Sequence, residues 1–249
     1  MNKLMRGMAG WLLTGMTLVG VVAANTAIVP VPKLEGDCYD WYQRHEDVMA
    51  AKDKLQPEVV MIGDSITHFW DGPPFTTGSR VVGPKSWAKL FGDRKVLNLG
   101  YGWDRTQNVL WRLDHGEFDG LKPKWVVVNI GTNNSSGTSH APENTPEETA
   151  EGVQKILETV TAKSPESKII LMGIFPRGAE PSDPKRTFVK ELNLRLAKIA
   201  AEKKLTFIDL SAKFLQPDGK LPVSLMSDGV HPTEEGYAIW AEALEKAMK

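Results

Sequence analysis

Five short apolar runs recur along the chain: Val59-Val60-Met61-Ile62, Val96-Leu97-Asn98-Leu99, Trp125 to Ile130, Lys168 to Gly173 and Leu205 to Leu210. They are nearly continuous rather than alternating, as expected of strands buried on both faces. Helical stretches separate them. The alternation predicts a three-layer αβα sandwich around a five-stranded parallel sheet.

Tyr39 to Lys54 reads as an amphipathic first helix, Thr106 to Leu113 as a short one, Pro184 to Lys203 as a long one and Thr233 to Met248 as the last. Thr145-Pro146-Glu147-Glu148 supplies an N-cap, a proline at the first helical position and a capping-box glutamate, and launches a helix to about Ala162. Residues 28–37, IVPVPKLEGD, read as a Pro-bearing linker, and 38–249 as one folded domain. The Gly/Pro-rich stretch 71–84, DGPPFTTGSRVVGP, is long for a loop and is expected to border a functional site.

At 249 residues and 41% hydrophobic content the chain can bury one sizeable core. The formal net charge is -1, and basic residues are interleaved with acidic ones, so the electrostatic footprint of a nucleic-acid binder is missing. The first residues, MNKLMRGMAGWLLTGMTLVGVVAANTA, carry Lys3 and Arg6 before an apolar stretch from Gly7 to Ala24. They end in small residues at Val22-Ala23-Ala24, with a later cut at Ala27 also compatible. This is the pattern of an export signal over residues 1–24, with an uncleaved anchor as the alternative. It implies a secreted or periplasmic protein without stable membrane association once cleaved. The single cysteine, Cys38, has no intrachain disulfide partner and no adjacent His or Lys to favour a thiolate.

Ligands of an open parallel sheet bind beyond the carboxyl ends of the strands. There the sequence places Gly63-Asp64-Ser65, then Asn98 to Asp104, then Gly131-Thr132-Asn133-Asn134; Asp228-Gly229-Val230-His231-Pro232 follows strand five. Each loop alone reads as a cap or a turn. Together they supply acyl transfer: a serine (Ser65), a base to take its proton (His231), a carboxylate to orient the base (Asp228), and oxyanion donors in the Ser65 N–H, a second-loop N–H and the Asn133 amide. Asp64 reads as a hydrogen-bonder in the first turn.

The ordered blocks IGDS, NLGYGWDRT, IGTNN and DGVHP resemble the SGNH hydrolases, the GDSL esterase/lipase superfamily. Within it, NLGYGWDRTQNVLWRL, GTNN and Phe175-Pro176-Arg177-Gly178 are similar to the catalytic subunits of platelet-activating-factor acetylhydrolase and their bacterial relatives. The resemblance implies a flavodoxin-like fold, Ser65 as nucleophile, His231 as base, Asp228 as its partner and Asn133 as an oxyanion donor, with no cofactor. Many members place the oxyanion-hole glycine directly before the Asp of the second block; here Trp103 stands there, and Gly102 one earlier. A tryptophan retains its N–H, and its indole is expected to wall off the acyl side and favour acetyl over long acyl groups.

The other histidines have plainer readings. His68 is turned away from a nucleophile at the helix start, and His45, His115 and His140 read as surface residues without partners. Asp104 and Arg105 read as substrate contacts or as a salt bridge anchoring the second loop. Trp111, Trp125 and Trp240 fall on core positions, while Trp70, Phe75 and Trp87 flank the Gly/Pro loop, where stacking on a sugar competes with core packing. Metal-ligand spacings, a P-loop, a Gly-x-Gly-x-x-Gly fingerprint and a Gly-x-Ser-x-Gly elbow are all missing. The expected activity is hydrolysis of small acyl esters, acetyl above all, of carbohydrates or similar small alcohols. A phospholipid acylhydrolase and a non-catalytic glycan-binding module are the competing readings.

Overall fold

The computed structural model describes residues 24–249. Five strands, β1 (Val59–Gly63), β2 (Val96–Gly100), β3 (Trp125–Asn129), β4 (Lys168–Met172) and β5 (Thr206–Ile208), form one parallel sheet in the order β2-β1-β3-β4-β5. Gly63 is level with Gly100 on one side and Asn129 on the other, so the first three strands end together. Since β2 and β3 leave β1 in opposite directions, the crevice between their connections opens above β1, where an α/β sheet accepts ligands.

Alternate strand residues feed two cores. Val60, Ile62, Leu97, Leu99, Val126 and Val128 pack with α1 (Trp41–Leu55), α4 (Thr106–Asp114), α5 (Pro146–Lys163) and α6 (Lys185–Glu202). Val59, Met61, Val96 and Val127 pack with α3 (Pro84–Phe91), α7 (Ser211–Phe214) and α8 (Glu234–Ala247). Removing both faces of the strands from water accounts for their unbroken apolar character.

The helix signals act as their chemistry dictates. Thr145 Oγ1 accepts the Glu148 N–H at 3.1 Å while Glu148 Oε2 accepts the Thr145 N–H at 2.9 Å, closing the capping box of α5. Helix α1 begins at Trp41, two residues later than its apolar pattern suggests, because the Asp40 carboxylate caps Tyr42 and Gln43. Strand β5 is trimmed to three residues at the sheet edge, where only β4 pairs with it. Helix α3 follows the Gly/Pro loop, with Pro84 in its first turn, and buries Trp87, Leu90 and Phe91.

The stretch 28–37 is not a free linker. The Val31 N–H donates to Gln107 O at 3.2 Å, Asn108 Nδ2 donates to Pro32 O at 2.7 Å, and Glu35 accepts from Thr138 Oγ1. Just before it, Ala27 is fully buried and its carbonyl accepts the Thr106 hydroxyl at 2.8 Å. Polar side chains of α4 satisfy this backbone while the loop after β3 holds the Glu35 carboxylate, neither of which composition alone reveals. Of the export signal, residues 1–23 lie outside the described residues.

Candidate active site

Ser65 opens α2 (Ser65–His68) directly after β1. The turn is tight: a Cβ at position 63 would meet the Thr67 hydroxyl and stand 2.5 Å from Asn129 O, so only glycine fits. The Asp64 carboxylate caps α2 by accepting the Ile66 N–H at 2.9 Å, as its position in the turn suggests. Its second oxygen is buried with no partner among the described residues. Burial pushes the Asp64 pKa up to about 7 against the Ile66 N–H, with the Asp104 carboxylate adding to the rise.

The loop after β5 returns over this turn. Met226 and Pro232 bridge across it, and the Asp228 Oδ1 inside it accepts the Val230 N–H at 2.9 Å and the His231 N–H at 2.7 Å. The same carboxylate meets His231 Nδ1 through Oδ2 at 2.7 Å, and His231 Nε2 lies 2.8 Å from Ser65 Oγ. An ionised carboxylate only accepts, so Nδ1 carries the proton and Nε2 is left to accept from the serine. Partial burial works against the Asp228 charge, but the His231 amide and imidazole outweigh it and hold the carboxyl below its usual range.

The second loop is held from below. The Trp41 indole N–H donates to Asp104 Oδ1 at 2.7 Å, and Arg112 bridges Asp104 Oδ2 at 2.8 Å and Glu117 Oε2 at 2.7 Å. Glu117 Oε1 accepts the Tyr101 hydroxyl at 2.6 Å and lies 2.8 Å from His45 Nδ1. Asp104 thus pairs with Arg112, whereas Arg105 donates to the Pro142 and Ser136 carbonyls. His45 has a buried carboxylate partner, and His140 pairs with Glu35 at 2.9 Å, so neither is the partnerless surface residue the sequence suggests.

Above this network the Gly102 N–H donates to the Tyr39 hydroxyl at 2.6 Å, and a Cβ at 102 would collide with the Asp37 carboxylate. Trp103 follows in the left-handed region at φ 62°, with its indole 40% exposed and its N–H without an acceptor among the described residues. Asn133 Nδ2 donates to Asp104 O at 3.0 Å, and a primary amide has a second N–H to offer. Ser65, Trp103, Asn133 and His231 line one cavity of about 240 Å³, completed by Asp37, Phe69, Arg80, Arg177 and Val230.

A family model described as GDSL-like lipase/acylhydrolase matches residues 61–239. The chain belongs to this family. It is 32% identical over 217 residues to platelet-activating factor acetylhydrolase IB subunit alpha2 of Homo sapiens, covering 86% of each chain. To subunit alpha1 of the same species it is 33% identical over 220 residues, 88% of this chain and 87% of that one. In fold it is similar to a GDSL-like lipase from Bacteroides thetaiotaomicron (21% identity, TM-score 0.64, 83% of this chain and 98% of that chain). It is likewise similar to an acetylxylan esterase from Geobacillus stearothermophilus (22% identity, TM-score 0.60, 76% and 92%). This acylhydrolase is therefore a carboxylic ester hydrolase.

The structure brings Ser65, His231, Asp228, Asn133 and Trp103 to one crevice, with Asp64 and Gly102 beneath it. His68 instead lies buried edge-on to Tyr39, 4.6 Å between ring centres, with both nitrogens unpartnered among the described residues; burial, together with Arg44, Arg112 and Arg80, keeps it neutral. Trp70 and Trp87 belong to the core, Trp70 stacking on Trp240 at 4.6 Å, and only Phe75 of that trio is exposed. Sequence reasoning about single residues missed Asp37, Phe69, Arg80 and Arg177 as parts of the acylhydrolase pocket. The signals for two of them were loop 71–84 and the stretch Phe175 to Gly178.

Proposed function

We propose that this acylhydrolase is an exported serine esterase that removes small acyl groups, acetyl above all, from carbohydrates or similar small alcohols. The observation that carries the reading is the hydrogen-bonded chain Ser65 Oγ–His231 Nε2 at 2.8 Å and His231 Nδ1–Asp228 Oδ2 at 2.7 Å. It opens into a cavity of about 240 Å³, below the range of pockets that enclose drug-sized ligands. Acetylhydrolase relatives at 32–33% identity support the acyl size.

Ser65 Oγ attacks the ester carbonyl as His231 Nε2 takes its proton, and Asp228 stabilises the imidazolium. The Ser65 and Trp103 N–H groups and the Asn133 amide receive the oxyanion. His231 then protonates the departing alcohol, and water repeats the sequence on the acyl-serine to free the acid.

Export rests on the N-terminal pattern, and the docked segment favours removal after Ala24. Asn25 Nδ2 donates to Glu151 at 2.7 Å and Ala27 is fully buried, so a cut after Ala27 would discard contacts the domain uses. Sequencing the N-terminus of exported protein tests this. Acetate release from a panel of acetylated oligosaccharides and acetylated lipids tests the substrate class, with the oligosaccharides expected to be cleaved faster.

The acetylhydrolase names of the curated relatives favour a second reading, a phospholipid acylhydrolase. Among the described residues no helix is long and apolar enough to cross a membrane. Flotation of the mature protein with phosphatidylcholine vesicles separates the readings, since a lipid acylhydrolase is expected to float with them.

A further inference from the structure

Two guanidinium groups line the acylhydrolase pocket without an ion pair among the described residues. Arg177 donates through Nη1 to Thr132 O at 3.1 Å and Ser135 Oγ at 3.2 Å, while its Nε and Nη2 have no acceptor among the described residues. Arg80 makes no hydrogen bond or ion pair there; its guanidinium lies over the Phe69 ring at 4.3 Å. Phe69 in turn stands 5.4 Å, centre to centre, from the His231 imidazole. The chain as a whole carries a formal net charge of -1, so two unpaired arginines in one pocket do not follow from a basic surface.

The placement is fixed. Arg80 belongs to the irregular stretch 71–83, but that stretch is tied down along its length. Pro74 O accepts from the buried Arg44 at 3.0 Å, Asp71 O from Asn98 Nδ2 at 2.6 Å, and the Thr76 hydroxyl donates to Asp47 at 2.7 Å. Beyond Arg80, the Val82 and Gly83 N–H groups donate to Phe69 O and Trp70 O at 2.8 and 3.0 Å. A cation presented on a braced loop loses little freedom when it binds an anion. Asp37, which also lines the pocket, is engaged at the Gly102 end, where its Oδ1 accepts the Cys38 N–H at 2.6 Å, and the Asp64, Asp183 and Asp228 carboxyls act on Arg177 only from beyond ion-pair distance.

His231 must protonate the departing alcohol, so the groups beside its ring border the alcohol half of the substrate. Those groups are Phe69 and the Arg80 stacked on it. We propose that the alcohol half carries an anion, a carboxylate or a phosphate, held by Arg80 with Arg177 as the second cation. The substrate class is then the acyl ester of an acidic alcohol, such as a sugar acid or an alcohol phosphate. The inference rests on the serine-esterase reading and adds the charge of the substrate to it.

The test uses the mature enzyme with 4-acetoxybenzoate, its methyl ester and 4-acetoxyphenyl phosphate, each kcat/KM divided by the rate of hydroxide hydrolysis. At least one anionic ester is expected to exceed the neutral one by about tenfold, the scale of one charge-assisted hydrogen bond. A larger ratio for the carboxylate points to a sugar acid, and a larger ratio for the phosphate to an alcohol phosphate. Arg80→Gln is expected to bring the ratio close to one and Arg80→Lys to keep part of it, with unchanged thermal melting showing that both variants fold. Equal or faster turnover of the neutral ester by wild type overturns the inference, as does a preference that survives both Arg80→Gln and Arg177→Gln. Failure of folded wild type to cleave any of the three esters would instead strike the serine-esterase reading itself.

Discussion

The Tyr39 hydroxyl accepts the Gly102 N–H at 2.6 Å, and the next amide, that of Trp103 beside Ser65, has no partner among the described residues. One donor of the second loop is consumed by the fold, and its neighbour is the one proposed to receive the oxyanion. Tyr39→Phe removes the acceptor and leaves the buried Gly102 N–H unsatisfied, a cost of about 1–3 kcal/mol. Urea denaturation is expected to register that loss, and kcat on p-nitrophenyl acetate to fall with it as the loop loosens.

Trp103 holds φ 62°, a conformation that costs a bulky residue about 1–3 kcal/mol. Trp103→Gly is expected to keep the N–H, relieve the strain and remove the indole from the acyl side. In a chain-length series of p-nitrophenyl esters, wild type is expected to favour acetate and the glycine variant to gain on butanoate and octanoate. Faster turnover of octanoate than acetate by wild type would contradict the wall.

Asn133 Nδ2 is steered by Asp104 O at 3.0 Å. Asn133→Ala removes one oxyanion donor, and the loss expected in kcat is about 10²–10³-fold, or ~3–4 kcal/mol of transition-state stabilisation. Stability is expected to change far less than kcat, and comparing urea midpoints with kcat distinguishes an oxyanion role from a merely structural one.

Asp64 gives a pH signature. Its folded pKa of about 7 lies above the ordinary 3.8, so between those values the folded state holds a proton that the unfolded chain has released. Its contribution to stability therefore falls as pH rises through that window, while that of Asp228, shifted downward, is lost only as pH falls. Asp64→Asn retains a capping oxygen and cannot ionise. Relative to wild type, its melting temperature is expected to be higher near pH 8 than near pH 5; a constant difference would show that Asp64 does not titrate in this range.

The sheet and the positions of Ser65, Asn133, Asp228 and His231 were legible because strand periodicity is local and each of these residues stands just past a strand or in a turn of characteristic composition. The buried cluster of Arg112, Asp104 and Glu117, with the half-buried His45 beside it, was not, since the burial of charge depends on partners that the fold brings together across 63 and 72 residues, as in Trp41–Asp104 and His45–Glu117. Loop 71–84 was read as bordering the site, but Arg80 as the residue it contributes, and Asp37, were illegible for a related reason. A loop charge has no periodicity, and only the bracing of 71–83 and the docking of 28–37 put them at the pocket. The left-handed backbone of Trp103 could not be read from a residue that rarely adopts it.

The measurement closest to the central claim is mass-spectrometric mapping of a fluorophosphonate adduct on the folded chain. Modification at Ser65 is expected in wild type, with strong slowing in His231→Ala and none in Ser65→Ala. Labelling of a different residue, or none in folded wild type that melts cooperatively, would contradict Ser65 as the nucleophile.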